Sequence, residues 1–187
     1  TYEKGGKVVN NDTKESVDMR EIARRKGSAV TGFANYGVMD RPELVTFCCH
    51  VAEVTVDEET GHVKLDKITV VSDAGTVINP TSYEGQIDGG LMQGIGHTLM
   101  EHIRIEDGRP VTTTFGDYKI PTMPDIPELK RVVIESPAQD PAYGPYGAKT
   151  VGELSISGVG PAIVNAIDDA VGVRIKDLPV TAEKIYA

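Results

Sequence analysis

A chain of 187 residues with 40% hydrophobic and 25% charged side chains has the make-up of a soluble globular protein, long enough to bury a core. Its net charge of −9 argues against nucleic acid as a partner, and no apolar run approaches the roughly 18 residues of a membrane span. The adjacent Cys48 and Cys49 provide neither a disulfide framework nor the four thiolates of an iron–sulfur cluster, and buried thiols suit a cytoplasmic chain. No charged-then-apolar signal segment opens the sequence, which begins with Thr, as a processed, trimmed or excised chain would.

In chain order, "GKVVN" predicts a short strand and "SVDMREIARRKG" a helix with Ser16 as N-cap and Gly27 as stop. "ELVTFCCHVAEVTVDEETGHVKLDKITVVSDAG" predicts a hairpin: two β-rich runs flank "DEETG", and Val51, Glu53 and Thr55 alternate with Ala52, Val54 and Val56. "INPTSYEGQIDGGLMQGIGHTLMEHIRI" turns helical, with Pro80 near its entry. "GRPV" reads as a turn, "FGDYKIPTMPDIP" as an extended proline-punctuated loop and "ELKRVVIES" as another strand. The 25 residues of "PAQDPAYGPYGAKTVGELSISGVGP" have loop chemistry, a length that compact domains seldom carry without a function. A last helix is predicted over Pro161–Val171, with Pro at its first position and Gly172 as its stop. The fold class expected is α+β, a two-layer mixed sheet with packed helices.

The long helix carries a contradiction. Ile87, Leu91, Ile95, Leu99 and Ile103 form an apolar stripe, yet Gly85, Gly89, Gly90, Gly94 and Gly96 lie in or beside it. Interior glycines cost about 0.8–1 kcal/mol each against Ala, roughly 3–4 kcal/mol for the run. Close packing against another element, or approach of a ligand or another backbone, would offset that. "EGQ" puts Gln86 at the first turn, where free amides and a positive dipole end gather, and "GVGP" offers a second set of amides suited to an anion. His97 and Glu101 share a helix face but lack a third metal ligand, and "DEETG" lacks the alternating ligands of a calcium loop. No nucleotide-type phosphate loop and no nucleophile elbow occurs.

"GAKTVGEL" sets one acid, Glu153, in a glycine-bearing segment with Lys149 four residues before it. Such a carboxylate is either an ordinary solvated loop acid or a group aimed at something by its backbone.

"VAEVTVDEETGHVKLDKITVVSDAGTVINP", "GQIDGGLMQGIGHTLMEH" and "GAKTVGELSISGVGPAIVNAIDDAVG", with "YKIPTMPDIPE" and "DLPVTAEKIYA", occur in an order and spacing that resemble one family. It is the carboxy-terminal part of the molybdenum cofactor-binding subunit of the xanthine dehydrogenase and aldehyde oxidase family. The resemblance covers about residues 44–187 and treats 1–187 as a single domain, with 1–43 outside it. It implies that Glu153 is the catalytic carboxylate beside the metal, a base that takes a proton from a hydroxyl there. Oxygen from water would then reach an electron-poor carbon of an aldehyde or purine-like N-heterocycle, with hydride passing to a sulfur on the metal. It implies that Gln86 hydrogen-bonds the pterin, and that Gly85, Lys149, Thr150, Val151 and Gly152 help line a molybdenum–molybdopterin cofactor. No protein ligand to the metal is implied. Thr150 departs from a frequent Gly, and Leu154-Ser155 from Ala-Gly or Pro-Pro, positions expected at the pocket rim. The amino-terminal half of the cofactor cradle, the substrate-stacking aromatics and the oxo-contacting glutamine are missing. The resemblance therefore implies partners: the remainder of the molybdenum subunit, and iron–sulfur and flavin (FAD) modules. An isolated chain is expected to be inactive and to self-associate as a homodimer. The alternative from another class is a non-catalytic structural or assembly module whose Glu153 is a plain loop acid.

Overall fold

The computed structural model describes residues 1–33, 45–136 and 144–186. Outside them lie the first residues of the predicted hairpin, Glu43 and Leu44, and the Pro137–Tyr143 part of the long loop. The chain divides into two units, Thr1–Met39 and Asp40–Ala187.

In the first unit, β1 (Tyr2–Glu3), β2 (Lys7–Val9) and β3 (Ser16–Asp18) make an antiparallel sheet, followed by α1 (Met19–Lys26). The helix predicted from Ser16 starts later, because Ser16–Asp18 pairs with Lys7–Val9. Asp18 is the N-cap, its carboxylate accepting from the Arg20 amide at 2.7 Å. Gly27, at φ 71°, ends the helix in the left-handed conformation, as expected.

In the second unit, β4 (Cys48–Asp57) and β5 (His62–Asp73) form the predicted antiparallel hairpin, with a register shift between Glu53 and Val54. Its turn closes because the Asp57 carboxylate accepts from the amides of Glu59 and Thr60, while the Gly61 amide donates to the Asp57 carbonyl. The chain then forms α2 (Pro80–Leu99), a two-residue hairpin of β6 (Ile105–Glu106) and β7 (Arg109–Pro110), and β8 (Glu128–Ile134). β8 lies parallel to β5, giving the order β4-β5-β8, so α2 is the crossover of a βαβ unit. The expected proline loop contains a 3-10 turn over Met123–Asp125, where the Asp125 carboxylate accepts from the Thr122 amide and hydroxyl.

The remaining helices are α3 (Leu154–Ser157), α4 (Val159–Val171) and α5 (Ala182–Tyr186). The last long helix thus begins before Pro161, which sits in its first turn, where its missing N–H has no helical partner to lose. Likewise α2 stops at Leu99, since the amides of Met100 and Glu101 both turn back to the Gly96 carbonyl. Ile103 therefore falls outside the stripe and is exposed.

The architecture is the expected α+β one. Ile68 and Val70 of β5 are fully buried against Ile87, Leu91 and Ile95 of α2 and Val159, Ile163 and Ile167 of α4. Each such side chain contributes about 1.5–3 kcal/mol by leaving water. The helices cover one face of the sheet, and on β4 the half-buried residues Cys48, His50, Ala52, Val54 and Val56 alternate with exposed ones.

Candidate functional site

Asn79 caps α2 by accepting from the Ser82 amide at 3.0 Å, with Pro80 as the first helical residue. Gln86 therefore lies well inside the helix and not at its first turn, where the sequence reading put it. Its backbone amide belongs to the helix ladder, and only its exposed side chain can serve a ligand.

The five glycines of α2 divide by face. A Cβ on Gly90 would stand 1.9 Å from Ser155 Oγ, and one on Gly94 2.6 Å from the Val159 side chain. These two permit α2 to press on α3 and α4. Gly96 similarly makes room for Glu101 and Pro121. Gly85 and Gly89, by contrast, have nothing within 4 Å of a Cβ position and lie on the same exposed side as Gln86.

The loop before Glu153 is fastened to the end of β5. The Thr76 amide donates to the Gly147 carbonyl at 3.1 Å, the Lys149 amide to the Ala74 carbonyl at 3.0 Å, and Gly75 bridges Ala148. Gly75, at φ 63°, leaves no space for a side chain: a Cβ would be 2.3 Å from the Gly147 carbonyl oxygen. Lys149 Nζ donates to Asp73 Oδ2, and that hydrogen bond, with the Gly75 amide, holds the Asp73 carboxyl below the usual carboxylate range. The Lys149 ammonium is thus engaged within the chain. Between this loop and α2 lies a pocket of about 200 Å³, lined by Ala74, Thr76, Tyr83, Gln86, Lys149 and Val151 among others. At its edge Tyr83 and Ser72 share a buried hydroxyl–hydroxyl bond of 2.9 Å.

Thr150, Gly152 and Glu153 are exposed, and a Cβ on Gly152 would meet nothing within 4 Å. Glu153 is the N-cap of α3, its carbonyl accepting from the Ile156 amide and the Ser157 hydroxyl. Ser155, expected at the rim, is instead fully buried: its hydroxyl donates to the Gln86 carbonyl at 3.5 Å, and its carbonyl accepts from His50 Nε2 at 2.9 Å. The structure thus gathers Gln86, Lys149 and Val151 around one pocket and ties the turn carrying Glu153 to the Gln86 backbone. "GVGP" is not an open set of amides, because α3 runs into α4 through Gly158.

His50 and Asp73 went unread in the sequence, and Ser155 was read only as a rim position. The helix-facing side of the β4 alternation was the one available signal for His50. Burial pushes the His50 imidazole below its ordinary value, partly countered by its bond to Ser155. His97 lies 3.6 Å from Glu101, which also accepts from the Tyr118 hydroxyl, and no cluster of potential metal ligands occurs among the described residues. No helix among them is long and apolar enough to cross a membrane.

The sequence profile of a family described as the molybdopterin cofactor-binding domain matches residues 1–127. The chain belongs to this family. The match takes in the amino-terminal segment that the resemblance had left outside it, and stops before the Glu153 loop. A probable hypoxanthine oxidase of Escherichia coli is 37% identical over 178 residues, covering 92% of this chain and 18% of that protein. The molybdenum-binding subunit of an Escherichia coli aldehyde oxidoreductase is 38% identical over 183 residues, 96% of this chain and 24% of its own length. Among solved structures, quinoline 2-oxidoreductase from Pseudomonas putida aligns at a TM-score of 0.68 and 39% identity, covering 73% of this chain and 18% of that one. Aldehyde oxidoreductase from Desulfovibrio gigas aligns at 0.67 and 38%, over 75% of this chain and 15% of that one. The chain therefore spans about a fifth of the length of such relatives, which are named as oxidases and oxidoreductases, one of them as a molybdenum-binding subunit.

A molybdopterin cofactor fits the residues present in one respect that packing within the chain does not explain. Gly85 and Gly89 leave the α2 surface beside Gln86 free of side chains, and Gly152 does the same before Glu153; within the helix such glycines only cost stability if nothing approaches.

Proposed function

We propose that this chain supplies the catalytic carboxylate and part of the cofactor cradle of a molybdenum hydroxylase acting on an aldehyde or an electron-poor carbon of an N-heterocycle. The observation that carries the reading is the convergence of Gln86, Lys149 and Val151 on one pocket, with the Glu153 turn bonded to Gln86 through Ser155. When bound, the molybdenum cofactor supplies the two-electron oxidation of the substrate carbon, with water as the source of oxygen. Glu153 takes up the proton that the water oxygen loses as it becomes joined to carbon, a task for an exposed carboxylate held at a helix cap.

Gln86 presents a side-chain amide that both donates and accepts, suited to the polar edge of a pterin. Gly85 and Gly152 keep side chains out of the way of that ligand, and Thr150 and Val151 line its flank. Lys149 contributes by holding its loop, since its ammonium is paired with Asp73. The rest of the cradle lies on further polypeptide of the molybdenum subunit. Iron–sulfur and FAD modules carry electrons away, and the assembly works in the cytoplasm.

The test is Glu153→Gln in the assembled enzyme, which keeps size and hydrogen bonding but removes basicity. Molybdenum content should persist while turnover falls about 10²–10⁴-fold. Turnover close to wild type would leave Glu153 as a loop acid and the chain as an assembly module.

A further inference from the structure

His50 stands on the helix-facing side of β4, half-buried. Its Nε2 lies 2.9 Å from the Ser155 carbonyl oxygen. A carbonyl only accepts, so Nε2 carries the proton. The other ring nitrogen, Nδ1, faces Gly158 so closely that a Cβ there would be 2.2 Å away. Ser155 lies in α3 and Gly158 is its C-cap, so one imidazole touches the single helical turn near both of its ends. A four-residue turn has too few internal hydrogen bonds to hold its own direction, and takes it from α4, into which it runs, and from what it packs on. Beneath α3 that is His50 from the sheet, with Gly90 and the Gln86 carbonyl from α2. Glu153 is the residue this turn begins on.

We propose that His50 is a positioning residue for Glu153: its ring, wedged under α3, sets where the carboxylate points. This rests on the reading of Glu153 as the base. The role requires a donor at Nε2 and a glycine at 158, whose backbone at φ −93° would accept any residue. Steric room for the ring is therefore the reason for glycine at that position.

The experiment uses His50→Leu, His50→Gln and Gly158→Ala in the assembled enzyme, reading kcat and KM, molybdenum content and amide hydrogen exchange over 153–158. His50→Leu and Gly158→Ala should speed exchange in that segment and lower kcat by about 10²-fold, the scale of a misplaced catalytic group, with KM and molybdenum retained. His50→Gln, which returns an N–H near the position of Nε2, should recover most of both. The double variant should be little worse than either single one, because both remove the same wedge. Unchanged exchange and kcat in His50→Leu would overturn the proposal, as would equal loss in His50→Gln and His50→Leu accompanied by loss of molybdenum. Exchange that speeds in His50→Leu while Glu153→Gln leaves turnover intact would retain the hold of His50 on α3 and remove the base assignment alone.

Discussion

Lys149 Nζ and Asp73 Oδ2 lie 2.5 Å apart, joining the loop that leads to Glu153 to the last residue of β5 across 76 positions of sequence. Only 11% of the Lys149 side chain and 13% of the Asp73 side chain remain exposed, so the pair is shielded from competing water. With two backbone hydrogen bonds beside it, the contact makes the 147–149 segment an extension of the sheet end.

Lys149→Met should accordingly lower unfolding stability by about 1.5–3 kcal/mol, the scale of a hydrogen bond to a charged group. The pH dependence follows from the sign of the Asp73 shift. A carboxyl held below its ordinary value in the folded chain contributes stability that is complete above the ordinary range and is lost as pH falls through the lowered value. Melting curves across the acid range should show a steeper acid limb for wild type than for Lys149→Met. Parallel limbs would contradict the pairing.

The two glycine faces of α2 should respond oppositely to a methyl group. Gly90→Ala forces a Cβ onto Ser155, and overpacking of this kind costs about 1–3 kcal/mol. Gly85→Ala and Gly89→Ala meet nothing within the chain and should each stabilise it by about 0.5–1 kcal/mol through helix propensity. On the proposed cradle, the added methyl would project toward the cofactor, and the same two changes should reduce molybdenum content in the assembled enzyme. Full occupancy in Gly85→Ala and Gly89→Ala would move the cofactor away from this face.

The adjacent thiols should differ in reactivity. Burial, aided by the neighbouring Cys49, pushes the Cys48 thiol up to about 11, whereas Cys49 faces solvent. The thiolate is the reacting form, so at mildly alkaline pH an alkylating reagent should modify Cys49 first and leave Cys48 protected until the chain unfolds. Peptide mapping after timed alkylation reads the order directly.

What local pattern encodes was legible. The stripe Ile87, Leu91 and Ile95 marked α2, and the alternation around "DEETG" marked the β4–β5 hairpin. The parallel pairing of β8 with β5 was not, because register between strands separated by a helix leaves no trace within either strand. The one turn of α3 has the composition of a loop, and its stability comes from Ser155 being buried against α2 and His50. Gln86 was assigned to the candidate site but placed too early in its helix, since the cap chemistry resides in Asn79 ahead of Pro80. His50 and Asp73 act across 105 and 76 positions respectively, and a lone polar residue in a strand carries no local sign of such a partner.

The chain alone should fold but bind no molybdenum cofactor. The pocket beside Gln86 measures about 200 Å³, below the roughly 300–1,000 Å³ of sites that enclose a small molecule, and such enclosure normally buries 70–90% of the ligand. The net charge of −9 opposes an anionic pterin, and Lys149, which lines the pocket, is already paired with Asp73. Affinity must then come from Gln86 and exposed backbone on one side only, with each neutral hydrogen bond contributing about 0.5–1.5 kcal/mol. Apolar residues left open on β8, Val132, Val133 and Ile134, are also available for self-association. Purified by itself, the chain should therefore give a cooperative melt, no molybdenum by elemental analysis and no oxidoreductase activity, with sedimentation reporting a dimer at high concentration. Stoichiometric molybdenum in that preparation would mean that this chain encloses the cofactor unaided, and the shared cradle would have to be abandoned.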